Sequence, residues 1–359
     1  MMLQVGIVGL PNVGKSTLFK TLTKKQVDCA NFPFCTIEPN VGVVEVADER
    51  LDKLAKISHS GKIVPAAIEF MDIAGLVKGA HKGEGLGNKF LGNIREVAMI
   101  LHIVRDFVDT NVHHVDGSID PVRDVEIVET ELAMADLETV AKRLDSVKAH
   151  MKAGRTKDLE KEESALVKIN ALLERGQMAN LAELDEDEDK MVKGLQLLTR
   201  KPILYVLNVD EQTASDPAWQ SPLGPERLAI ALSIKVESEI TEMALEDQKT
   251  FLEELGLKES GLDRVIKTCY QLLGLITYFT SGEMETKAWT IKKGTKAPQA
   301  AGVIHTDFEK GFIRAEVIKC TDFIELNGEA GARDEGKIGV QGKEYVMEDG
   351  DVCHFRFNV

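Results

Sequence analysis

The sequence has little cysteine and no long hydrophobic run. Its five cysteines are scattered over 359 residues without a CxxC spacing. This pattern argues against a zinc site and is typical of reduced thiols in a cytosolic protein. No apolar stretch reaches membrane-spanning length, and no basic leader precedes the first apolar run. We therefore expect a cytoplasmic protein without membrane contact.

An excess of positive charge is also lacking. The chain has 44 Lys and Arg against 59 Asp and Glu, which gives a formal net charge of -15. This balance excludes a uniformly basic surface that coats nucleic acid, although it allows local basic patches. The length exceeds one ordinary domain, so we expect two or three domains, each with its own core.

What the chain does contain, near its start, is a GxxxxGK[ST] motif at residues 9–17, GLPNVGKST. A strand-like run, Leu3 to Val8, precedes the motif and a helical pattern follows it, which is the context that a phosphate-binding loop requires. Backbone N–H groups of such a loop converge on phosphate oxygens at a helix N-terminus. Lys15 is expected to reach the β- and γ-phosphates, and Ser16 to bind Mg²⁺. The alternative, a chance glycine-rich turn, does not explain the flanking strand and helix.

A second strand-like run ends in a DxxG box, from Asp72 to Gly75. In switch nucleotide hydrolases the aspartate of this box holds Mg²⁺ through water, and the glycine N–H meets the γ-phosphate. Thr36, between the two motifs, is a candidate switch threonine that would complete the Mg²⁺ shell. Its alternative is a capping or turn threonine.

Leu76 follows the DxxG box at the place where many relatives of Ras have a water-orienting glutamine. A leucine side chain cannot polarise water, so another group must do so. The glycine-rich and basic segment at residues 78–89 is a candidate switch that becomes ordered on γ-phosphate, with an ordinary solvated loop as the alternative.

A third apolar run, Ile203 to Leu207, is followed by Asn208-Val209-Asp210-Glu211 in place of the guanine-reading NKxD. Val209 lacks the lysine stem that covers the base, and Glu211 carries its carboxylate one methylene further out. A bidentate contact with guanine is therefore disfavoured, and the sequence predicts ATP rather than GTP. Asn208 and the main chain near Val209 are candidates to hold adenine, with residues 233–236 on the other side.

Four segments together resemble the Obg-like ATPase family, known in bacteria as YchF: GLPNVGKST, NFPFCTIEPNVGVV, DIAGLVKGAHKGEGLGNKFL and NVDE. The resemblance covers nearly the whole chain. It implies an ATP preference, a helical insertion, a C-terminal TGS domain and association with ribosomes. It assigns Mg²⁺ to Ser16 and Thr36. The nucleotide contacts that it implies are Asn12, Val13, Gly14, Lys15, Ser16, Thr17 and Val209.

Two candidates could take over from the missing glutamine, and the resemblance points to the first of them. It matches His114 to a histidine that is proposed to position water in the family, and an unperturbed imidazole titrates near physiological pH. A surface-loop histidine is the alternative, and the adjacent His113 leaves the assignment open. Asn12 lies where related switch proteins coordinate K⁺ in place of an arginine finger, so K⁺ is a second candidate cofactor.

Nearly a hundred residues separate the strand-like runs at Met99 to Val104 and at Ile203, far more than one crossover helix needs. Apolar residues at helical spacing predict an antiparallel helical hairpin that turns at Gly154. The acidic run from Asp185 to Asp189 is expected to cap or interrupt its return arm. The two stripes are Leu137, Val140, Leu144, Val147 and Met151, then Leu166, Ile169 and Leu173.

From about Ser281 the helical spacing stops and short β-rich runs follow, at Trp289 to Ile291, Phe312 to Ile318 and Val352 to Phe357. They predict a small α+β module, which resembles a TGS domain of the β-grasp type. A basic patch on it would contact RNA, or else its members are scattered surface residues. The candidate members are Lys292, Lys293, Lys296, Lys310, Arg314 and Lys319.

The sequence thus predicts a doubly wound α/β P-loop domain at residues 1–120 and 200–278, a helical insertion at 121–199 and a β-grasp TGS domain at 279–359. We expect a monomeric, ribosome-associated ATPase that hydrolyses Mg²⁺-ATP slowly as a switch in translation or stress response. Lys15 and His114 would be catalytic. ATP and the ribosome, through its large subunit or the whole particle, would be its partners, with RNA as a further one. The alternatives are a translation-associated GTPase and a non-catalytic, nucleotide-gated adaptor.

Overall fold

The computed structural model describes residues 3–25, 40–73, 86–108, 118–254, 257 and 259–358. Within these ranges the chain forms two six-stranded sheets. None of the helices there combines the length and the apolar character that crossing a membrane requires. The strands are β1 (Gln4–Val8), β2 (Val41–Val46), β3 (Ile63–Val64), β4 (Ala66–Asp72), β5 (Met99–Asp106), β6 (Ile203–Val209), β7 (Ala229–Leu232), β8 (Leu275–Thr280), β9 (Thr286–Lys292), β10 (Phe312–Lys319), β11 (Gly339–Gln341) and β12 (Asp351–Phe357).

Helices connect these strands. They are α1 (Lys15–Lys24), α2 (Glu49–Ile57), α3 (Leu86–Glu96), α4 (Pro121–Ala153), α5 (Lys157–Leu173), α6 (Glu186–Val192), α7 (Glu211–Ala214), α8 (Ile234–Ile240), α9 (Leu245–Glu254), α10 (Gly261–Leu272), α11 (Ala297–Ile304), α12 (Thr306–Lys310), α13 (Cys320–Glu325) and α14 (Glu329–Asp334). Single 3₁₀ turns lie at Ala179–Leu181, Lys193–Leu195 and Leu198–Arg200.

The first sheet has the strand order β2-β4-β1-β5-β6-β7, in which β2 is antiparallel to β4 and all other neighbours are parallel. Its central strands are mostly apolar and buried because helices cover both faces of such a sheet. Helices α1, α3, α4 and α10 pack against its strands. The predicted α/β P-loop architecture is confirmed. All the carboxyl ends of the parallel strands therefore meet at one edge, where ligands bind in folds of this type.

The inserted segment is a helical hairpin, as predicted. Asp120 caps α4 by accepting from the Arg123 N–H at 3.1 Å, and Pro121 occupies the first turn, where its missing N–H costs nothing. Gly154 ends α4. α5 begins at Lys157, directly after its N-cap Thr156, whose hydroxyl accepts from the Leu159 N–H. The apolar stripes of the two helices form a separate core. Its fully buried members include Val140, Val147, Leu166 and Ile169.

The acidic run caps a short helix on the return arm. Asp185 accepts from the N–H groups of Asp187 and Glu188, and the Glu188 carboxylate accepts from the Asp185 N–H, which is a complete capping box. Glu188 also receives hydrogen bonds from Lys168 at 2.7 Å and from Ser164 at 2.7 Å, both on α5. One carboxylate thus begins α6 and binds it to the hairpin.

A buried carboxylate holds the base of the hairpin. Asp136 on α4 has no solvent exposure. It accepts from the N–H groups of Leu198 and Thr199 at 3.0 and 2.8 Å and from the Thr199 hydroxyl at 2.6 Å. Because these donors precede β6 directly, the return path of the insertion is fixed against α4 where the chain re-enters the sheet.

The second sheet has the order β11-β10-β12-β8-β9-β3, with β8 and β12 parallel. The predicted strands at the C-terminal end are confirmed, but β8 was missed, and the predicted boundary at residue 279 falls inside it. The run Leu275–Phe279 follows α10 after a turn of only two residues, Leu273 and Gly274. In the sequence, its apolar residues therefore cannot be distinguished from a continuation of the helical pattern of α10.

The first part of the chain contributes an edge strand to this second sheet. β3 pairs in parallel with β9, Ile63 opposite Thr286 and Val64 opposite Lys287. The Gly61 N–H donates to the Glu283 carbonyl at 2.8 Å, which extends the contact. Nearby, Arg50 on α2 bridges Asp48 and Asp349 at 2.7 Å each, and its guanidinium lies over the Phe279 ring. The two sheets are therefore joined through α2 and β3, a contact that the sequence did not suggest.

We predict that Glu188→Gln destabilises the hairpin. The Lys168 and Ser164 contacts lower the pKa of Glu188 from 4.5 to about 2. A depressed carboxyl pKa stabilises the folded state above the unfolded pKa, and this stability is lost as the pH falls from about 4.5 to about 2. Urea unfolding at a series of pH values should show a lower midpoint for the variant at neutral pH and a flatter pH dependence across that window. Glu186→Gln, an exposed change in the same first turn, is the matched control. An equal effect of both changes would contradict the prediction.

Candidate functional site

The loop between β1 and α1 has the backbone of a phosphate cradle. Gly9 and Gly14 have φ angles of 152° and 105°, and Asn12 has φ 63°, all in a region that L side chains rarely adopt. A Cβ atom at Gly9 would lie 2.4 Å from the Ile103 carbonyl oxygen, and one at Gly14 would lie 2.8 Å from Asn208 Nδ2. Both glycines are therefore required by sterics as well as by φ. Gly14 is the N-cap of α1, so the positive end of that helix points at the loop.

Lys15 is buried in this loop, and its Nζ donates to the Leu10 carbonyl at 2.6 Å. Burial lowers the pKa of Lys15 to about 8, and the neighbouring Asp72 carboxylate opposes that shift. A cation taken out of water in this way gains strongly from an anionic partner. The arrangement suits a bound phosphate group.

Ser16 and Asp72 meet beside the lysine. Asp72 is the last residue of β4, and its Oδ2 accepts from the Ser16 hydroxyl at 3.4 Å. Burial raises the pKa of Asp72, whereas Lys15 and Ser16 act to lower it. The two predicted metal ligands, Ser16 and Asp72, therefore lie next to each other. Both offer oxygen atoms, which a hard cation such as Mg²⁺ prefers as ligands. Thr36, Gly75, Leu76, His113 and His114 lie outside the described residues.

A cleft of about 750 Å³ opens next to the loop, at the carboxyl ends of β5 and β6. It brings the predicted base box at residues 208–211 opposite the predicted far wall at residues 233–236. Asn12, Gly14 and Thr17 line its phosphate side. Phe107 and Val108 line it as well, and sequence reasoning missed both. They directly follow β5, so their position past the carboxyl end of a parallel strand was the available signal.

Asn208 connects three parts of this cleft. Its Nδ2 donates to the Val13 carbonyl at 3.1 Å, and its Oδ1 accepts from the Ile234 N–H at 3.2 Å. The base strand β6 is thus tied to the phosphate loop and to the start of α8. The Asn208 amide, which was predicted to contact the base, therefore also positions the phosphate loop and the start of α8.

The other members of the base box differ in exposure. Val209 is buried, whereas Glu211 is exposed at the start of α7, where Asp210 caps the helix by accepting from the Thr213 N–H at 2.9 Å. Phe107 is held by the buried Arg105, whose Nε donates to the Phe107 carbonyl at 3.2 Å and whose guanidinium lies 4.6 Å from the ring centroid. The cleft therefore has one aromatic side chain in a fixed position.

Acidic partners interrupt the basic patch that was predicted on the C-terminal module. Lys296 pairs with Glu344, and Arg314 with Glu316. Lys319 pairs with the fully buried Asp351 at 2.6 Å. Half of the six predicted cations are thus bound to carboxylates. In the described part of the chain, no group of three or more His, Cys, Asp or Glu side chains is placed to hold a metal ion.

Two family models match the chain. One, described as a 50S ribosome-binding GTPase, matches residues 4–209. The other, the C-terminal model of YchF GTPases, is described as a protein of unknown function and matches residues 275–358. The second match begins at the first residue of β8.

Named relatives are similar along the whole chain. The ribosome-binding ATPase YchF of Bacillus subtilis is 53% identical over 367 residues, with 100% of both chains covered. The protein of the same name from Escherichia coli O157:H7 is 49% identical over 359 residues and 99% of both chains. The solved structure of the Schizosaccharomyces pombe YchF GTPase superposes with a TM-score of 0.87 at 39% identity, covering 99% of this chain and 97% of that one.

We predict that Asn208→Ala weakens ATP and GTP binding together. Loss of the amide frees the phosphate loop, which both nucleotides need, and leaves the Val13 carbonyl and Ile234 N–H without their partner. The cost of about 1–3 kcal/mol corresponds to roughly 5- to 150-fold in affinity. Calorimetric titration with each nucleotide measures it, with Asn170→Ala on the hairpin as the control. A loss confined to one nucleotide would show instead that Asn208 acts mainly by reading the base.

Proposed function

This chain belongs to the YchF family, and we propose that it is a ribosome-associated ATPase that hydrolyses Mg²⁺-ATP slowly as a conformational switch in translation or stress response. The family resemblance predicted from the sequence is confirmed by relatives that match over the full length. The observation that carries the proposal is that Lys15, the Ser16–Asp72 pair and the base cleft lie together at one edge of the first sheet. We also propose a cytoplasmic, monomeric protein.

The phosphate loop and Lys15 would hold the triphosphate. Backbone N–H groups at the start of α1 and the Lys15 ammonium supply donors and positive charge without rearrangement of the loop. Ser16 and Asp72 fit Mg²⁺ because a half-buried carboxylate lies within reach of a hydroxyl beside the lysine. Thr36 is proposed as a third ligand. Bound Mg²⁺ would neutralise charge on the phosphate oxygens.

The base cleft supports a preference for ATP. A lysine stem is absent because position 209 is a buried valine. Asn208 Oδ1 accepts one hydrogen bond from Ile234, and a carbonyl oxygen has a second lone pair that can accept from the adenine amine. Phe107 offers an apolar surface to the base. Glu211 is an exposed lining residue of the cleft, with a longer side chain than the guanine-reading aspartate.

The ATP preference predicts that wild-type protein with Mg²⁺ binds ATP more tightly than GTP. Glu211→Asp should shift the GTP-to-ATP affinity ratio toward GTP by about tenfold, since one charged hydrogen bond contributes about 1.5–3 kcal/mol. Calorimetric titration of both nucleotides gives the ratio. Glu226→Asp, outside the cleft, is the control. Tighter GTP binding by the wild type would overturn the preference.

Leu76 supports slow turnover, because no glutamine is available after the DxxG box to orient water. We propose that His114 takes this role, as the family resemblance implies. An imidazole near its ordinary pKa can accept a proton from water at neutral pH.

We predict that His114→Ala lowers single-turnover phosphate release roughly 100-fold, within the usual range for loss of a general base. ATP affinity should remain unchanged. The adjacent His113→Ala is the matched control and should release phosphate at the wild-type rate. Measurements with and without ribosomes separate an ATPase from a nucleotide-gated adaptor, which would release no phosphate in either condition. Wild-type release by His114→Ala would dispose of the histidine proposal.

We propose K⁺ as a further cofactor, bound at Asn12. Asn12 has a positive φ in the phosphate loop and lines the phosphate side of the cleft. A monovalent cation there would add positive charge in the manner of an arginine finger. Turnover should then be several-fold faster in KCl than in NaCl at equal ionic strength, and the difference should be smaller for Asn12→Ala. Equal rates in the two salts would count against K⁺.

We propose that the chain works as three units: the P-loop domain, the insertion at residues 121–199 and a C-terminal unit. The start of β8 and the match to the C-terminal family model support Leu275, rather than residue 279, as the first residue of that last unit. The hairpin core and the Asp136 anchor support a rigid insertion suited to contact a large particle. Contact with the ribosome, through its large subunit or the whole particle, and with RNA through the C-terminal unit is part of the proposal.

A further inference from the structure

The parallel pair at the centre of the second sheet is incomplete. β8 and β12 pair at Phe279 and Val352, and β8 ends one residue later, at Thr280. β12 continues to Phe357, so residues 354–357 extend beyond the end of β8. On their other side these residues pair with β10. Within the described residues, this part of β12 therefore has a neighbouring strand on one side only.

A cavity of about 690 Å³ lies beside this free strand edge, between β12 and the turn that connects β8 to β9. Aromatic side chains form much of its wall. The rings of Phe308 and Phe357 stack with centroids 3.8 Å apart. Trp289 is fixed by a 2.9 Å hydrogen bond from its Nε1 to the Thr280 hydroxyl. The wall is therefore mostly apolar and already in place, although the Lys287 ammonium lies 4.1 Å from the centroid of the Trp289 ring.

The rim of the cavity is acidic. The charged side chains among its lining residues are four carboxylates, Glu283, Glu285, Glu316 and Glu329, with no lysine or arginine among the described lining residues. Glu316 contacts Arg314 and Arg356, Glu285 contacts Lys62, and Glu329 contacts Arg333, all outside the cavity. Glu283 is exposed at the tip of the turn. Three of the four carboxylates are thus paired with cations, so Glu283 is the rim residue that favours a cationic side chain of a ligand.

Met284 adds an exposed apolar group to the same rim. Its side chain is 88% exposed, next to Glu283. Methionine is flexible and polarizable, and it is frequent on surfaces that adapt to a peptide. A free strand edge, an apolar wall and an acidic rim with an adaptable side chain are the features of a site for strand addition.

We propose that this cavity binds an extended peptide segment of a partner protein that carries alternating apolar and basic residues. The segment would add a strand beside residues 354–357, with main-chain hydrogen bonds to the free edge of β12. Its apolar side chains would contact the wall that contains Trp289 and Phe357, and a lysine or arginine would pair with Glu283. Four paired residues span about 13 Å at the usual strand rise. The site is separate from the nucleotide cleft and does not depend on the proposed ATPase activity.

Fluorescence of Trp289 tests the proposal in the full-length chain. The protein has two tryptophans, so Trp219→Phe leaves Trp289 as a single reporter at the cavity wall. The probe is a six-residue peptide of alternating valine and lysine with blocked ends. We expect a saturable change in Trp289 emission with this peptide. A version with glutamate for lysine and a version with proline at alternate positions should each bind at least fivefold more weakly, because they lack the charge or the backbone donors.

Two variants locate the site, and both change exposed residues. Glu283→Lys and Met284→Ser should each weaken peptide binding about fivefold, which corresponds to roughly 1 kcal/mol. Val340→Ser on the edge strand β11 and Glu325→Lys on α13 are the matched controls and should bind as the parent does. Thermal unfolding of each variant confirms that it folds.

Three results with the peptide would overturn the proposal. The first is that Trp289 emission does not change at millimolar peptide. The second is that both Glu283→Lys and Met284→Ser bind the peptide as the parent does. The third is that Val340→Ser loses binding, which would place the peptide on the β11 edge. An octa-adenylate RNA that changes Trp289 emission where the valine–lysine peptide does not would assign the cavity to RNA and also overturn it. Nucleotide binding is measured separately, because a negative result in the peptide test says nothing about the nucleotide cleft.

Discussion

The side chain of Asn208 holds together the segments that form the nucleotide cleft. It bonds the phosphate loop at Val13 and the start of α8 at Ile234, so β6, α1 and α8 keep one relative position. Lys15, Ser16 and Asp72 are useful only if the loop stays in that position, because phosphate and metal contacts tolerate small errors only. The buried Lys15 ammonium, with its lowered pKa, shows the cost of maintaining a cationic site before a phosphate arrives.

One short segment links this cleft to the C-terminal sheet. β3 belongs to the second sheet and β4 to the first, with only Pro65 between them, and β4 ends at the metal-ligand candidate Asp72. Arg50 reinforces the same contact through Asp349 and Phe279. A structural change at the nucleotide site can therefore be passed directly along the backbone to the C-terminal unit. Such a route makes coupling between the sites feasible, as a switch protein requires.

The insertion is attached differently. Its hairpin has its own apolar core, and its stability depends on carboxylates with several donors, above all Asp136 and Glu188. Buried carboxylates of this kind fix geometry because each of their oxygens accepts at least one hydrogen bond. The hairpin can thus project as a rigid arm while the occupant of the nucleotide cleft changes.

The amino-acid sequence was enough to predict the phosphate loop, the parallel sheet and the helical hairpin, because steric demands at glycine and apolar periodicity are local properties. It also placed Asp72 with Ser16 correctly, since the ends of parallel strands meet at one edge. The folded structure was needed to show that Asn208 is bonded within the protein, that Phe107 lines the cleft and that β3 joins the second sheet. It also decided that Lys296, Arg314 and Lys319 have acidic partners. Most of these contacts join residues far apart in the chain, and their geometry depends on packing that no local pattern encodes.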